Sequence, residues 1–345
     1  MNYFLSLITA LLTLTTTLWS GETLAQGVKV IVIDPGHGGK FPGASYKGVT
    51  EKELNLKIAL QLGDMIKKAH PEVKVIYTRT KDIALGTTLS ADLGARNKIA
   101  NNAKGDLFIS IHANAAVSAS AQGAETIIMG ESSLEEQRNY NALYTANRDE
   151  IIDMSNEKNA AIVRAYIENY QYTYGQYSEA LARLVQKGYA KNGRNTRPLR
   201  RQPLMVLYGT DMPCILTEVG FMSNPSEFAF LCSSRGQATI ARSIFDGVDE
   251  YIKLMAKLNN GSSTKLPESN TALKKGYTVQ ILSTDSKLKE NDRAFKSFAG
   301  QQWVKIGSGK FKYKYCIGKY ATREEASRAL PQIKREFKDA FITNF

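Results

Sequence analysis

Histidine is scarce in this chain, with three in 345 residues, and two of the three directly follow apolar runs typical of buried strands. The run over residues 28–33 ends in a turn where glycines surround His37, and the run over residues 107–111 ends at His112. Glycine lets the backbone approach another group closely. Because the carboxyl ends of strands in an α/β sheet share one edge, we expect the two imidazoles to lie near each other.

We expect a carboxylate to complete a metal site with these two histidines. A third apolar run, residues 214–217, ends at Glu218, and Glu51 begins the helix expected after the His37 loop. Glu53 is a rival to Glu51, but Thr50 and Glu53 form a capping box that gives Glu53 a local partner. Two imidazoles and a carboxylate are the ligands of hydrolytic zinc sites, which leave one position for water. We therefore expect Zn²⁺ as the cofactor.

The remaining histidine and the cysteines are not expected to bind a metal. His70 precedes a proline at the end of a helix, and we predict that it is solvated. The three cysteines, Cys214, Cys232 and Cys316, include no CxxC pair. This pattern argues against a disulfide framework and against a cysteine metal site.

The predicted elements alternate between strands and helices. Strands are expected over residues 28–33, 73–79, 106–112, 125–129, 204–208 and 214–218, and helices from 51, over 89–103, over 178–191 and over 237–258. This alternation predicts an α/β domain with a mostly parallel sheet flanked by helices. Residues 131–177 are polar, interrupt the alternation and are predicted to be mainly helical.

The ends of the chain differ in composition from this domain. The apolar run over residues 4–19, followed by small residues at Thr23 and Ala25, predicts an export signal over residues 1–25. The run is too short for a transmembrane span, so we expect an exported protein of the periplasm or cell envelope without a membrane anchor after cleavage. Residues 259–275 have linker composition, which separates a domain over residues 26–258 from one over residues 276–345.

The C-terminal segment carries most of the charge. Residues 271–345 hold 16 Lys or Arg against 7 Asp or Glu, so nine of the twelve net positive charges lie there. The order of its predicted elements, β-α-β-β-α-β, is that of a small α+β ferredoxin-like domain. A nucleic-acid module is also basic and aromatic on a four-stranded sheet, but predicted export makes nucleic acid an unexpected partner.

Four motifs, in order, resemble those of the zinc-dependent N-acetylmuramoyl-L-alanine amidases of bacterial cell-wall turnover. They are Asp34-Pro-Gly-His37-Gly-Gly39, Glu51-Lys52, Ser110-Ile-His112-Ala-Asn114 and Thr217-Glu218-Val-Gly-Phe-Met-Ser-Asn224. The resemblance covers residues 28–257. It implies zinc ligands at His37, Glu51 and His112, and a catalytic Glu218 that relays the proton of zinc-activated water. The implied reaction cleaves the amide between N-acetylmuramic acid and L-alanine of the stem peptide.

Residues 131–177 are a departure within this resemblance. Some members of the family carry a helical insertion here that covers the site and supplies a carboxylate to the zinc until a partner displaces it. Asp149, Glu150 and Glu157 are candidates for that carboxylate, and an activator protein is then an expected partner. The alternative is a substrate-binding or merely decorative helix pair. A second departure is Pro198 after Arg197, where the family usually has glycine.

The C-terminal segment resembles the SPOR domain, which binds septal glycan strands stripped of stem peptides. Its matching phrases begin at Tyr277 and Tyr315, and candidate sugar contacts are Tyr277, Gln280, Trp303, Tyr313 and Tyr315. Peptidoglycan is thus the expected partner of both domains. Two other hypotheses stay open at this point: a catalytically silent homologue that acts as a peptidoglycan-binding scaffold, and a zinc peptidase that cuts within the stem peptide.

Overall fold

A computed structural model describes residues 27–131, 150–155, 157–259, 266, 277–289, 292–298, 302–306, 312–320 and 323–344. The chain divides into two compact units, residues 1–267 and 268–345. The predicted export signal, Asp149 and most of the predicted linker lie outside the described residues. Among the helices that are described, none is long and apolar enough to cross a membrane.

The first unit is built on a six-stranded sheet in the order β4-β1-β5-β8-β6-β7. Its strands are β1 (Val30–Pro35), β4 (Lys74–Tyr77), β5 (Leu107–Asn114), β6 (Glu125–Met129), β7 (Arg200–Gln202) and β8 (Cys214–Phe221). Strands β4, β1, β5 and β8 are parallel to one another. Strand β6 runs antiparallel to β8, and β7 runs parallel to β6. A two-stranded hairpin, β2 (Ser45–Tyr46) and β3 (Val49–Thr50), precedes the first helix. The predicted mostly parallel sheet is confirmed.

Helices cover both faces of this sheet. They are α1 (Glu51–Ala69), α2 (Leu89–Asn102), α3 (Glu157–Tyr170), α4 (Gln176–Lys191), α5 (Pro225–Cys232) and α6 (Ser234–Asn259), with a π-helical turn at Gln171–Gly175. One core packs α1, α4 and α6 against Ile31, Ile109 and Ile215. The other packs α2 and α3 against Phe108 and Leu216. Burial on both faces explains why the strands are continuous apolar runs.

The strand predicted over residues 204–208 is wrong. Leu204 forms only an isolated bridge with Ile151, and the chain then turns, with the amides of Leu207 and Tyr208 donating to the carbonyl of Leu204. The run is apolar because Val206 and Leu207 are buried in the core beneath α2 and α3. The edge strand is instead β7, which is short and basic, as is common where a sheet ends.

His70 is not solvated as predicted. It caps the C-terminus of α1, and its Nε2 lies 2.9 Å from Oδ1 of Asp249 on α6. This contact ties two neighbouring helices together. A sequence pattern gives no signal for such a pair because the two residues lie far apart in the chain.

The second unit is a four-stranded antiparallel sheet in the order β10-β11-β9-β12. Its strands are β9 (Tyr277–Thr284), β10 (Gln302–Ile306), β11 (Tyr313–Tyr320) and β12 (Phe341–Asn344), and α7 is Arg323–Lys334. The predicted first helix is a 3₁₀ segment at Arg293–Phe298. Tyr315 is buried in the core and its hydroxyl accepts the amide hydrogen of Leu288, so it is not available to stack on a sugar.

Candidate active site

Adjacent strand ends place His112 and Glu218 side by side. The two residues are in register between β5 and β8, so their side chains leave the sheet on the same face. His37 follows β1, and its ring meets that of His112 edge-on, with centroids 4.8 Å apart. All three side chains are buried. The structure therefore brings together the residues that the sequence singled out from three different strands.

Glu51 lies between the two histidines. Its Oε2 is 3.2 Å from Nε2 of His37 and its Oε1 is 3.0 Å from Nδ1 of His112. The amides of Ala44 and Ala113 donate to the same carboxylate and fix its orientation. Ligands held tetrahedrally by one zinc ion at about 2.0–2.2 Å lie roughly 3.3 Å from one another. The observed separations are close to that spacing, and they are also the distances of direct ion-pair contacts between the carboxylate and the two imidazoles.

The capping residue behaves as the sequence predicted. The carboxylate of Glu53 accepts a hydrogen bond from the amide of Thr50 at 3.1 Å. This local bond keeps Glu53 on the outside of α1, while Glu51 is fully buried. The first turn of α1 thus separates the two neighbouring glutamates, and it directs only Glu51 to the histidines.

Glycines are required where the loop meets the histidines. A Cβ on Gly36 would lie 2.2 Å from Nε2 of His112, and a Cβ on Gly43 would lie 2.5 Å from Oε2 of Glu51. His37 itself has φ of 61°, a left-handed conformation that is uncommon for a residue with a side chain. The loop therefore holds His37 in a strained backbone conformation, a feature that is frequent at functional sites.

A buried ion pair supports this loop from beneath. Arg96 on α2 donates to Oδ1 of Asp34 and to the carbonyl oxygen of His37, each at 2.7 Å. The hydroxyls of Thr78 and Ser110 also donate to Asp34. Burial alone would raise the pKa of Asp34, but Arg96 and the two hydroxyls hold it below its usual value.

Arg79 adds a second set of bonds to the loop backbone. Its Nε donates to the carbonyl of Pro35 and its Nη2 to that of Gly36, both at 2.9 Å. Burial lowers the pKa of Arg79 to about 10. These contacts give Arg79 and Arg96 a structural role, in which they pair with backbone carbonyls and, for Arg96, with a carboxylate.

A fourth side chain reaches the site from residues 131–177. Oε1 of Glu150 lies 3.6 Å from Nδ1 of His37, and ligand atoms of Glu150, His37 and His112 all lie within 4.8 Å of one another. The amide of Met205 donates to the carbonyl of Glu150 at 2.8 Å and fixes its backbone. Of the other two candidate carboxylates, Asp149 and the side chain of Glu157 lie outside the described residues.

The electrostatics of the cluster suit a cation. Burial alone would lower the pKa of His37, but the carboxylates of Glu51 and Glu150 raise it to about 9. Burial would raise the pKa of Glu51, but the two histidines hold it well below its usual value. Oε2 of Glu150 is buried and has no hydrogen-bond partner among the described residues. The donor set of His37, His112 and Glu150, with its unsatisfied oxygen, fits a divalent ion such as Zn²⁺, whereas Glu51 contacts His37 at the other ring nitrogen.

Sequence reasoning missed Glu125. It pairs with Glu218 across β6 and β8 and is fully buried on the same face of the sheet. His37, His112 and Glu218 each follow an apolar strand, whereas Glu125 begins a strand that runs in the opposite direction. Its partners, Arg197 and Arg200, lie on a distant segment of the chain, so no local pattern gave a signal that this carboxylate is buried and paired.

Comparisons with known proteins agree with this fold. A family model described as N-acetylmuramoyl-L-alanine amidase matches residues 31–250, and one described as SPOR domain matches residues 273–344. The chain belongs to the N-acetylmuramoyl-L-alanine amidase family and carries a SPOR domain. Its resemblance to that family, inferred from four motifs, is confirmed.

Individual relatives support the same conclusion. The germination-specific N-acetylmuramoyl-L-alanine amidase of Bacillus subtilis is 28% identical over 243 residues, which are 68% of this chain and 84% of that protein. N-acetylmuramoyl-L-alanine amidase AmiC of Neisseria meningitidis is 31% identical over 233 residues, 65% of this chain and 52% of that protein. The chain therefore spans about half the length of the second relative.

A solved structure shows the same fold over the first unit. The CwlD amidase from Clostridioides difficile, in complex with the GerS lipoprotein, superposes with a TM-score of 0.50 at 25% identity. The match covers 66% of this chain and 99% of that chain. An N-acetylmuramoyl-L-alanine amidase from Clostridium difficile 630 gives a TM-score of 0.50 at 26% identity, covering 66% of this chain and 98% of that chain.

Proposed function

We propose that this chain hydrolyses the amide bond between N-acetylmuramic acid and L-alanine in peptidoglycan, with Zn²⁺ held by His37, Glu51 and His112. The observation that carries the proposal is Glu51, whose two oxygens contact one histidine each at 3.2 Å and 3.0 Å. Membership of the amidase family supports the same reaction.

Each residue of the site has a chemical role. A zinc ion, when bound, would lower the pKa of water to about 7 and polarise the amide carbonyl. Glu218 lies next to His112 across the strands, so its carboxylate can take the proton of the attacking water and give it to the leaving amine of L-alanine. Proton transfer of this kind contributes roughly 10²–10⁴-fold to a rate. Arg96 and Asp34 hold the His37 loop in place while this happens.

Glu150 makes this form of the enzyme latent. A catalytic zinc site keeps one position open, whereas a fourth protein ligand closes it. Glu150 contacts His37, and the side chains of His37, His112 and Glu218 are all buried. Substrate therefore reaches them only after Glu150 moves aside. An activator protein that displaces Glu150 is the expected partner, and the CwlD structure from Clostridioides difficile shows an amidase of this fold in complex with a lipoprotein.

The remaining parts of the chain place the enzyme at its substrate. A signal over residues 1–25 would export it to the periplasm or cell envelope, where peptidoglycan lies. The SPOR domain would bind glycan strands without stem peptides. Such a second binding site raises the effective concentration of the catalytic unit near its substrate without changing the active site.

The test is to identify the products of the full chain carrying Glu150→Ala, which removes the carboxylate that closes the site, loaded with zinc, on purified peptidoglycan. The expected products are intact stem peptides with a free L-alanine amino group and glycan strands with free lactyl carboxyl groups, both visible by mass spectrometry. Should the new termini arise within the stem peptide, the chain would be a peptidase and the proposal would be wrong.

A further inference from the structure

One buried carboxylate beside the site has no part in the chemistry above. Glu125 on β6 is in register with Glu218 on β8, and Glu218 is in register with His112 on β5. Residues in register on neighbouring strands project from the same face. His112, Glu218 and Glu125 therefore form a row across the sheet, and Glu125 stands one strand farther from the histidines than the proposed proton-transfer residue.

Among the described residues, only one carboxylate oxygen of Glu125 has a partner. Its Oε1 lies 3.1 Å from Nη2 of Arg200 and 3.8 Å from Nε of Arg197. Its Oε2 is buried and has no hydrogen-bond partner among the described residues. Burial raises the pKa of Glu125, and Arg200 opposes that change by favouring the ionised form. The arginines thus fix the orientation of the carboxylate and leave Oε2 as an acceptor.

An unsatisfied acceptor of this kind indicates a missing donor. Leaving a buried polar group without a hydrogen bond costs about 1–3 kcal/mol, and more when the group is charged. Structures that carry such a cost often do so at functional sites. Since the whole row from His112 to Glu125 is buried, a donor from the substrate reaches Oε2 only when the active site itself becomes accessible.

We propose that Oε2 of Glu125 binds the stem peptide by accepting the N–H of the peptide bond between its first and second residues. The inference rests on the proposed function, because it names a contact to the same substrate. Neighbouring strands lie about 4.8 Å apart, and successive residues of a peptide about 3.8 Å apart. When Glu218 faces the nitrogen of the scissile amide, Glu125 faces the next amide nitrogen along the peptide.

The experiment pairs a change in the protein with a change in the substrate. We would measure kcat/KM for the wild type and Glu125→Gln, both in the Glu150→Ala background that opens the site, on two synthetic N-acetylmuramoyl dipeptides, one of which carries an N-methyl group on the second amide. A hydrogen bond to a charged group is worth a factor of about 10 to 100. Methylation should cost the wild type that factor, mainly through KM, and should cost the variant less than about threefold.

Glu179→Gln is the matched control. Glu179 is also buried and paired with two arginines, Arg183 and Arg201, but it lies on α4 and outside the row. This variant should stay as sensitive to methylation as the wild type. Equal sensitivity of the wild type and Glu125→Gln would overturn the inference. So would a sensitivity that follows methylation of the acetamido nitrogen on the sugar instead.

Two further experiments cover a variant that does not fold and a wild type that does not cleave. If Glu125→Gln does not fold, Glu125→Asp retains the charge but withdraws the oxygens, and it should lose the same sensitivity to methylation. If the wild type cleaves neither substrate, the proposed function fails, and the inference is judged by binding alone. Affinity of the metal-free protein for the free dipeptide, measured by calorimetry, should fall about tenfold on methylation for the wild type and not for the variant.

Discussion

The imidazole of His112 occupies the space that a side chain at Gly36 would need: a Cβ built on Gly36 would lie 2.2 Å from Nε2 of that ring. The amide of Gly36 donates to the carbonyl of Ile111 at 3.0 Å, so the backbone of the loop cannot move away without breaking a bond to β5. The position of the His112 ring therefore depends on the absence of a side chain at residue 36.

Replacing Gly36 with alanine should weaken metal binding while leaving the fold intact. The added methyl group displaces the His112 ring from Glu51, and a misplaced ligand weakens a metal site by a factor of about 10 to 100. Zinc content after dialysis and the far-ultraviolet circular dichroism spectrum measure the two effects. Gly94→Ala is the control, because nothing lies within 4 Å of a Cβ there. Retention of zinc by Gly36→Ala would contradict the account.

Asp34→Asn should destabilise the protein in a pH-dependent way. It removes one of the two buried carboxylates that pair with Arg96, the other being Asp92, and breaking a buried ion pair costs roughly 3 kcal/mol. The folded-state pKa of Asp34 lies below the usual 3.8, so its contribution is present above about pH 4 and is lost as the pH falls through the folded-state pKa. Urea denaturation at pH 7 and pH 3 measures the difference in free energy of unfolding.

The difference between wild type and Asp34→Asn should be large at pH 7 and smaller at pH 3. Asp64→Asn is the control, because Asp64 is exposed and lies 3.7 Å from Lys67 on the surface of α1. It should change the free energy of unfolding by less than about 0.5 kcal/mol at either pH. An equal loss for Asp34→Asn at both pH values would show that the carboxylate is not ionised in the folded protein.

Glu150→Ala should activate the enzyme. Without this carboxylate the fourth position of the metal site is open to water, and we expect the rate on peptidoglycan to rise about tenfold or more, since a minor open state of a protein is typically populated to about 10% or less. Asp153→Ala is the control, because Asp153 is exposed and bonds only locally to Ser155. An unchanged or lower rate for Glu150→Ala, with zinc still bound, would remove Glu150 from any inhibitory role.

This substitution is a cleaner test than removal of residues 131–177. Helix α3 lies in that segment and buries Ala160, Val163, Ile167 and Tyr170 against the sheet. Tyr170 also donates to the carbonyl of Met212 and accepts from the amide of Cys214. Deletion would expose the core beneath α3, so a loss of activity after deletion would report unfolding as readily as a catalytic role.

The sequence was sufficient to predict the residues that come together but not how they are covered. His37, His112 and Glu218 could be grouped because each ends an apolar run, and parallel strand ends share one edge of the sheet. Glu51 could be separated from Glu53 because a capping box is a local pattern. Both signals depend on short stretches of chain, which is where sequence patterns are informative.

What the sequence could not show depends on contacts between distant segments. Glu150 was one of three candidates, and its contact with His37 depends on a distant segment that pairs with the chain beside it through the bridge between Ile151 and Leu204. The same bridge belongs to the turn that was wrongly predicted as a strand. His70 was predicted to be solvated because its partner, Asp249, lies on a helix far along the chain. Periodicity alone cannot reveal these pairs.

The central claim is that His37, Glu51 and His112 hold a zinc ion and that Glu218 moves the proton. The most direct measurement compares wild type, Glu218→Gln and His112→Ala for bound zinc and for release of stem peptides from purified peptidoglycan, each also in the Glu150→Ala background. The account predicts that Glu218→Gln keeps its zinc and loses at least about 100-fold in rate, whereas His112→Ala loses both. Full activity of Glu218→Gln, or activity of His112→Ala without zinc, would contradict it.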